Sequence, residues 1–374
     1  MMDPRPLMAR LVRPLDPFLM VLLLGILGFA LLMMLSASPE RLQAQLINSG
    51  AALTVMWVVA SQPPQRLHAF ALPLYATGVL LLLAVELFGV TAKGATRWLD
   101  IGVTRIQPSE LMKIAMPLML AWYFQKREGA LKARDFLVAT LLLALPAGLI
   151  LKQPDLGTAL LVLGSGIFVI YFAGLSWKLI LPVTLLGAVG IVAVVVFQQD
   201  ICAPDVKWPG MHDYQKLRVC MLLDPGSDPR GKGFHTIQAS IAIGSGGVLG
   251  KGWREGTQTH LDFLPERHTD FILAVISEEL GLLGVVGIML LYCLLIARGL
   301  MIAMNAPNLF SRLLAGSITM IFFTYAFVNM GMVAGILPVV GVPLPLISYG
   351  GTALVTLCLG VGLLMSVQQQ RRRV

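Results

Sequence analysis

Mostly apolar runs long enough to cross a bilayer recur along this chain from end to end, and nothing else in the sequence limits its fold so sharply. A hydrocarbon core about 30 Å thick is spanned by about 20 apolar residues in a helix. Ten such stretches can be marked, near 17–35, 44–62, 69–89, 110–125, 136–152, 156–174, 177–198, 270–298, 311–335 and 348–368. A transmembrane barrel would show short segments of alternating hydrophobicity instead. Composition agrees, with 57% hydrophobic and only 13% charged residues. The expected fold class is an all-α polytopic membrane protein of about ten transmembrane helices, with a long outer (periplasmic) loop between helices seven and eight. The basic lead of Arg5, Arg10 and Arg13 has the look of a signal peptide. With no small-residue cleavage site after it, the first run reads as a retained helix.

Short-loop Lys and Arg set the orientation. The amino-terminal arginines, "KREGALKAR" at 126–134, Lys178, Arg298 with Arg312 and the final "QQQRRRV" fall on one side when ten spans are counted. That side is expected to be cytoplasmic, with both termini on it. The net charge of +8 is then largely topological, with anionic lipid headgroups as its partner. Nothing in it calls for nucleic acid.

Residues 199–269 interrupt the helical rhythm with roughly seventy residues outside the membrane. Structureless connections of that length are uncommon. The apolar content and spaced glycines of "HTIQASIAIGSGGVLG" suggest short amphipathic helices lying on the bilayer surface. The 90–109 stretch, with Trp98 and Ile101 among Lys93, Arg97 and Arg105, has the same interfacial look. Cys202 and Cys220 share the long loop, where either a disulfide or a metal pair would serve; Cys293 and Cys358 read as apolar filler within spans.

Ionisable residues at membrane depth are the costly ones, at roughly 2.5–3.5 kcal/mol each on insertion scales, and they face protein or water rather than lipid. Glu110 and Lys113 open the fourth span three residues apart, on one helix face. Lys152 and Asp155 bracket "KQPDLGTA", and Glu278 with Glu279 lies about two turns into the eighth span. Glu110 with Lys113, and Glu278 with Glu279, have a plain reading as salt bridges between helices, and Lys152 and Asp155, near the interface, as snorkelling side chains. Arg267 and His268 read as ties or caps, and Asp270 as the N-cap of the eighth span. Two signals are decoys. "GSDPRGKG" at 226–233 nearly matches a phosphate loop but has Gly233 where a Ser or Thr would hold magnesium. His212, His235, His260 and His268 share the outer loop at spacings that match no compact zinc pattern.

Seven blocks in register carry a resemblance: "GATRWLDIGVTRIQPSELMK", "KQPDLGTA", "YQKLRV" followed by "LLDP", "IQASIAIGSGGVLGKGW", "HLDFLPERHTDFI", "EELGLLG" and "PLPLISYGGT". Together they resemble the shape, elongation, division and sporulation (SEDS) family over nearly the whole chain. "THLDFLPERHTDFI" looks like the elongation branch rather than the division branch. The resemblance implies one transmembrane domain over 1–374 in the bacterial cytoplasmic (inner) membrane, with 199–269 as its extracytoplasmic loop. It also implies a peptidoglycan glycosyltransferase that polymerises lipid II alongside a class B penicillin-binding protein, with an essential acidic residue that maps onto Asp262.

That chemistry fits the inventory. Forming a β-linkage from an α-linked lipid pyrophosphate is a single inverting displacement, which needs a base on the attacking hydroxyl. A pyrophosphate leaves readily and wants cations more than a proton donor. Asp262 is assigned as base, with Glu266 as the alternative. Arg97, Lys113, Lys152 and Arg218 are candidate pyrophosphate ligands. Trp98, Tyr214, Arg267 and Ser348 complete the expected substrate contacts, Ser348 on the "PLPLISYGGT" wall. A divalent cation (Mg or Mn) could share the leaving group through Glu110 or Asp155, although no metal motif fixes it. Two rivals stand beside this reading, a lipid II flippase, which the intramembrane charges also suit, and a scaffold that only positions a cross-linking partner.

Overall fold

The computed structural model describes residues 14–92, 95–100, 102, 105–129, 131–203, 206, 208, 213–228, 233–261, 263–264 and 266–371. Helices occupy all ten expected positions: α1 (Pro17–Ala37), α2 (Leu42–Ala60), α3 (Pro64–Phe88), α4 (Pro108–Lys126), α5 (Ala133–Lys152), α6 (Leu156–Phe172), α7 (Trp177–Val196), α12 (Ile272–Met304), α13 (Leu309–Val333) and α14 (Gly351–Arg371). Short helices α8 (Gln198–Ile201), α9 (Asp213–Leu223), α10 (Phe234–Gly246) and α11 (Thr257–His260) fill the long loop, as its composition suggested. Eight of the helices are long and apolar enough to cross a bilayer by length and composition. Helix α4, which carries Glu110, Lys113 and Lys126, and α6, at 17 residues, are not among those eight.

The 90–109 segment departs from an all-α chain. It forms a three-stranded antiparallel sheet, β1 (Val90–Ala92), β2 (Ala95–Asp100) and β3 (Arg105–Ile106), in the order β1-β2-β3. Thr91 pairs with Thr96 and Val90 with Trp98 across β1 and β2. β-branched and aromatic residues at facing positions favour such a ladder, and the two threonine hydroxyls sit 2.7 Å apart.

Packing centres on α13, which contacts α4, α6, α12 and α14. Its buried residues run from Leu309 to Val333 on several faces, with Phe310, Phe322 and Tyr325 among the largest buried side chains. A helix hydrophobic all round and covered by neighbours is a core helix. Helix α7 is the opposite case, with no buried residue. Both described ends of the chain lie on one face, hereafter the terminal face. Asp16, which caps α1 through Leu19 N–H, holds Arg298 near the end of α12 at 2.6 Å, and Ser311 at the start of α13 meets Gln370. The opposite face carries the sheet, α8–α11 and the 335–350 segment, and is called the loop face.

Cys202 and Cys220 form a disulfide that closes a sequence separation of 18 residues between α8 and α9, which decides between the two expectations for that pair. Cross-links closing loops of that size stabilise by about 3 kcal/mol. Replacing both cysteines by serine is expected to lower the stability of this segment by that order, read as a lower melting temperature that reductant no longer changes.

Candidate functional site

The segment 256–271 lies on the loop face and is held from several directions. Glu278, fully buried in the second turn of α12, is its main anchor. One carboxylate oxygen accepts from Lys251 Nζ (2.7 Å), Thr257 Oγ1 (3.1 Å) and the Gln258 N–H (2.9 Å). The other accepts from the N–H (3.2 Å) and Oγ1 (3.1 Å) of Thr259. A carboxylate taken out of water needs this many charge-assisted donors to offset its desolvation. Glu279, equally buried, accepts from Ser36 Oγ at 2.5 Å and lies 3.5 Å from His260 Nε2.

Arg267 ties the same segment to α1 and to itself, with Nε donating to the Ala37 carbonyl (2.7 Å) and one terminal nitrogen to the Thr259 carbonyl (2.5 Å). Glu266 takes a left-handed backbone, φ 52°, and receives the Thr269 hydroxyl on its carboxylate. Ser348 donates to the Thr269 carbonyl (2.6 Å) while accepting from Leu344 N–H, and Tyr349 N–H donates to the His268 carbonyl (2.8 Å). Asp270 is not the N-cap of α12. That helix starts at Ile272 with Phe271 in the cap position and no side-chain cap, because the turn runs on to residue 271. The Asp270 carbonyl is instead held by Asn329 Nδ2, which also donates to Val342 O.

One helical turn deeper on α13, four residues before Asn329 and on the same face, stands Tyr325; the step is about 6 Å. Lys113, 2% exposed, donates to Tyr325 Oη and to Glu110 Oε1 at 2.6 Å. Thr356 Oγ1 of α14 reaches the other Glu110 oxygen at 3.4 Å. Beside them at the start of α6, Asp155 caps the helix through Thr158 N–H and accepts Thr158 Oγ1 and Gln107 Nε2, both at 2.9 Å. Arg97 of β2 comes within 3.7 Å of Asp155, and its Nε is buried without a partner. Glu110 with Lys113, and Asp155 with Arg97, thus form two small polar clusters.

Other expected contacts fall elsewhere. Lys152 points out of the bundle and pairs with Glu86 at 2.5 Å, its side chain 66% exposed. Trp98 is half-buried on β2, and Arg218 is half-buried on α9, which packs on the turn Pro225–Ser227. Asp262 and the side chain of Tyr214 lie outside the described residues. Both carboxylates offered as metal ligands are already engaged, Glu110 by Lys113 and Thr356, Asp155 by Thr158, Gln107 and Arg97. They do not fit a cation, and among the described residues no three of His, Cys, Asp and Glu converge on one point. Sequence reading passed over Tyr325, Thr356, Gln107, Asn329, Lys251 and Thr259. Their partners are far along the chain, so no local spacing announces them.

Two histidines give the loop face a pH dependence. Burial lowers the pKa of His268 from its ordinary 6.5, helped by Arg41 and Arg267 and opposed by Glu266 and Glu40. Burial lowers His235 likewise, against Glu266. The folded state therefore binds these protons less readily than the unfolded state. Their contribution is complete above pH 6.5 and is lost as pH falls below it toward the folded-state values. Thermal melts of the purified protein should shift downward from pH 7.5 to 5.5, and less steeply in His268→Gln. An unchanged slope would contradict the assignment.

The family described as cell cycle protein, that of FtsW, RodA and SpoVE, matches residues 15–373. The chain is 48% identical over 361 residues to the peptidoglycan glycosyltransferase MrdB of Escherichia coli, covering 96% of this chain and 94% of that one. It is 38% identical over 308 residues to the probable peptidoglycan glycosyltransferase FtsW of Geobacter metallireducens, covering 81% and 78%. Among solved structures, a chain from a peptidoglycan synthase complex that coordinates polymerization and crosslinking superposes with a TM-score of 0.77 at 34% identity, covering 96% and 99%. The Rod shape determining protein RodA of Thermus thermophilus superposes at 0.69 with 31% identity, covering 95% and 97%. With matched blocks, fold and sequence identity in agreement from end to end, this chain belongs to the SEDS family.

Proposed function

We propose that this chain is a peptidoglycan glycosyltransferase of cell elongation, polymerising lipid II into β-1,4 glycan by an inverting displacement with Asp262 as general base. The supporting observation is the fixed loop-face segment. Glu278 holds residues 257–259, Arg267 is bound to Ala37 and Thr259, and Ser348 and Tyr349 hold residues 268–269. In the sequence, residue 262 falls between these anchored stretches, and a general base acts from a defined position.

In this reading the loop face is extracytoplasmic and both termini are cytoplasmic, which puts the reacting sugars where lipid-linked substrate presents them. Asp262 takes the proton of the acceptor 4-hydroxyl as that oxygen bonds to the anomeric carbon, and the bond to the lipid pyrophosphate breaks. Arg97 and Lys113 are the cations best placed for the leaving phosphates. Arg97 retains an unpartnered Nε, and Lys113 stands one turn beneath the segment. Lys152 and Arg218 are further candidate ligands of the phosphates, with Trp98, Tyr214 and Glu266 as further contacts. The chain acts as one transmembrane domain with 199–269 as its outer loop, beside a class B penicillin-binding protein that cross-links the product. The relative's complex of polymerization and crosslinking is the parallel for that partner.

The test is purified protein with its transpeptidase partner, supplied with lipid II and read as glycan ladders on a gel. Ladders support the reading. Their absence, with lipid II crossing proteoliposome membranes instead, turns it to the flippase that the buried Glu110–Lys113 pair would also suit.

A further inference from the structure

Helix α12 is broken at Gly281, where φ is 64° and ψ −159°. The break interrupts the helix ladder, and residues 247–252 pair with four backbone groups beside it. Lys251 N–H donates to Glu278 O and Gly252 N–H to Glu279 O, each at 3.0 Å. Leu282 N–H donates to Gly247 O (3.0 Å) and Leu283 N–H to Val248 O (3.2 Å). The backbones approach so closely that a Cβ on Gly250 would stand 2.1 Å from Glu279 O, and one on Gly281 2.3 Å from Gly250 N.

The depth of this junction follows from the Asp16–Arg298 pair, which marks the terminal-face boundary on α1 and α12 together. Counting at 1.5 Å per residue, Leu283 lies about 22 Å and Leu32 about 24 Å from that level. Both fall inside a hydrocarbon layer of about 30 Å, and helix tilt only moves them deeper. Yet Leu283 is bonded to Val248, and Leu32 O accepts the indole N–H of Trp253 at 3.3 Å. Complete pairing of the freed backbone is what a break at that depth demands, since no water is there to substitute.

The side chains at the tip point away from the protein. Val248 is 60% exposed and Leu249 76%, continuous with Leu282, Leu283 and Leu32, each more than half exposed on the flanks of α12 and α1. Trp253 carries Arg254 over its ring, 5.5 Å to the centroid, an aromatic and a cation in the order of a membrane interface. We infer that residues 247–254 re-enter the loop-face leaflet, with Val248, Leu249 and Trp253 packed among lipid acyl chains. The same segment supplies Lys251 to Glu278, so the insertion fixes the height of residues 257–259, which Glu278 holds, relative to the headgroups. The inference rests on α1 and α12 crossing the bilayer and is independent of glycosyl transfer.

The test is a nitroxide at Leu249→Cys in a Cys293→Ser, Cys358→Ser background that keeps the disulfide. The protein is reconstituted in phosphatidylethanolamine–phosphatidylglycerol vesicles, with reference labels at Leu290→Cys on the exposed side of α12 and Glu128→Cys in the terminal-face loop. Power saturation with oxygen and with Ni-EDDA should give a ratio at Leu249 several-fold above that at Glu128 and close to that at Leu290. A ratio equal to that at Glu128 would overturn the inference, as would low collision with both reagents, which means burial against protein. Val248→Cys gives the same reading should the first variant fail to reconstitute.

Discussion

Asp262→Ala is expected to leave a folded protein that binds lipid II and does not extend it. Removing a positioned general base costs roughly 10²–10⁴ in rate. Asp262→Asn should lose as much, because the amide keeps the shape and cannot take the proton. The measurement is initial rate of glycan formation for wild type and both variants, with thermal melts as the control for folding. A variant within a factor of about ten of wild type, below that range, would remove Asp262 from the chemistry and bring Glu266 forward. Glu266 is a weaker candidate geometrically, since its carboxylate is occupied by the Thr269 hydroxyl and its backbone is committed to the turn.

Glu278→Ala is the substitution with the largest expected effect on stability. It removes the shared acceptor of the Thr259 hydroxyl and the N–H groups of Gln258 and Thr259, and leaves Lys251 Nζ with only the Thr257 hydroxyl. Breaking a buried charge pair costs about 3–5 kcal/mol, chiefly from the groups left unpaired. Lys251, 27% exposed in its side chain, can turn partly toward water, so the low end of the range is expected. Glu278→Gln keeps the shape and loses the charge, and should fall between. Adding Lys251→Met to it should restore part of the loss, because the uncompensated ammonium goes as well. Thermal melts of wild type, Glu278→Gln, Lys251→Met and the double variant check this, with Glu278→Ala beside them. An additive double variant would mean that Lys251 and Glu278 do not act as a pair.

Several site features were legible because their physics is local. Glu110 and Lys113 are three residues apart, so any helix through them brings them together, and they meet at 2.6 Å. Asp155 was legible only as a charge near membrane depth, and the structure makes it the cap of α6. Asp270 shows the limit of the same rule. The pattern offers it as a cap, but the turn continues to Phe271, and the Asp270 carbonyl goes to Asn329. Tyr325 is 212 residues from Lys113, and Ala37 is 230 from Arg267; no window on the sequence joins them. The 90–100 stretch was ambiguous for a different reason. A short run of Thr, Trp and Leu among basic residues suits an interfacial helix or a ladder equally, and pairing with a neighbouring strand decided it.

Most of the helical segments follow from the chain alone, because bilayer thickness and backbone hydrogen bonding leave a long apolar run no other form. The chain also shows which ionisable residues must find partners at depth. The identity of those partners, the break of α12 at Gly281 and the pairing of residues 247–252 with it emerge only in the folded bundle. Those outcomes depend on pairings between distant segments, whose energies come from burial and hydrogen bonding in the assembled bundle rather than from the preference of any one stretch.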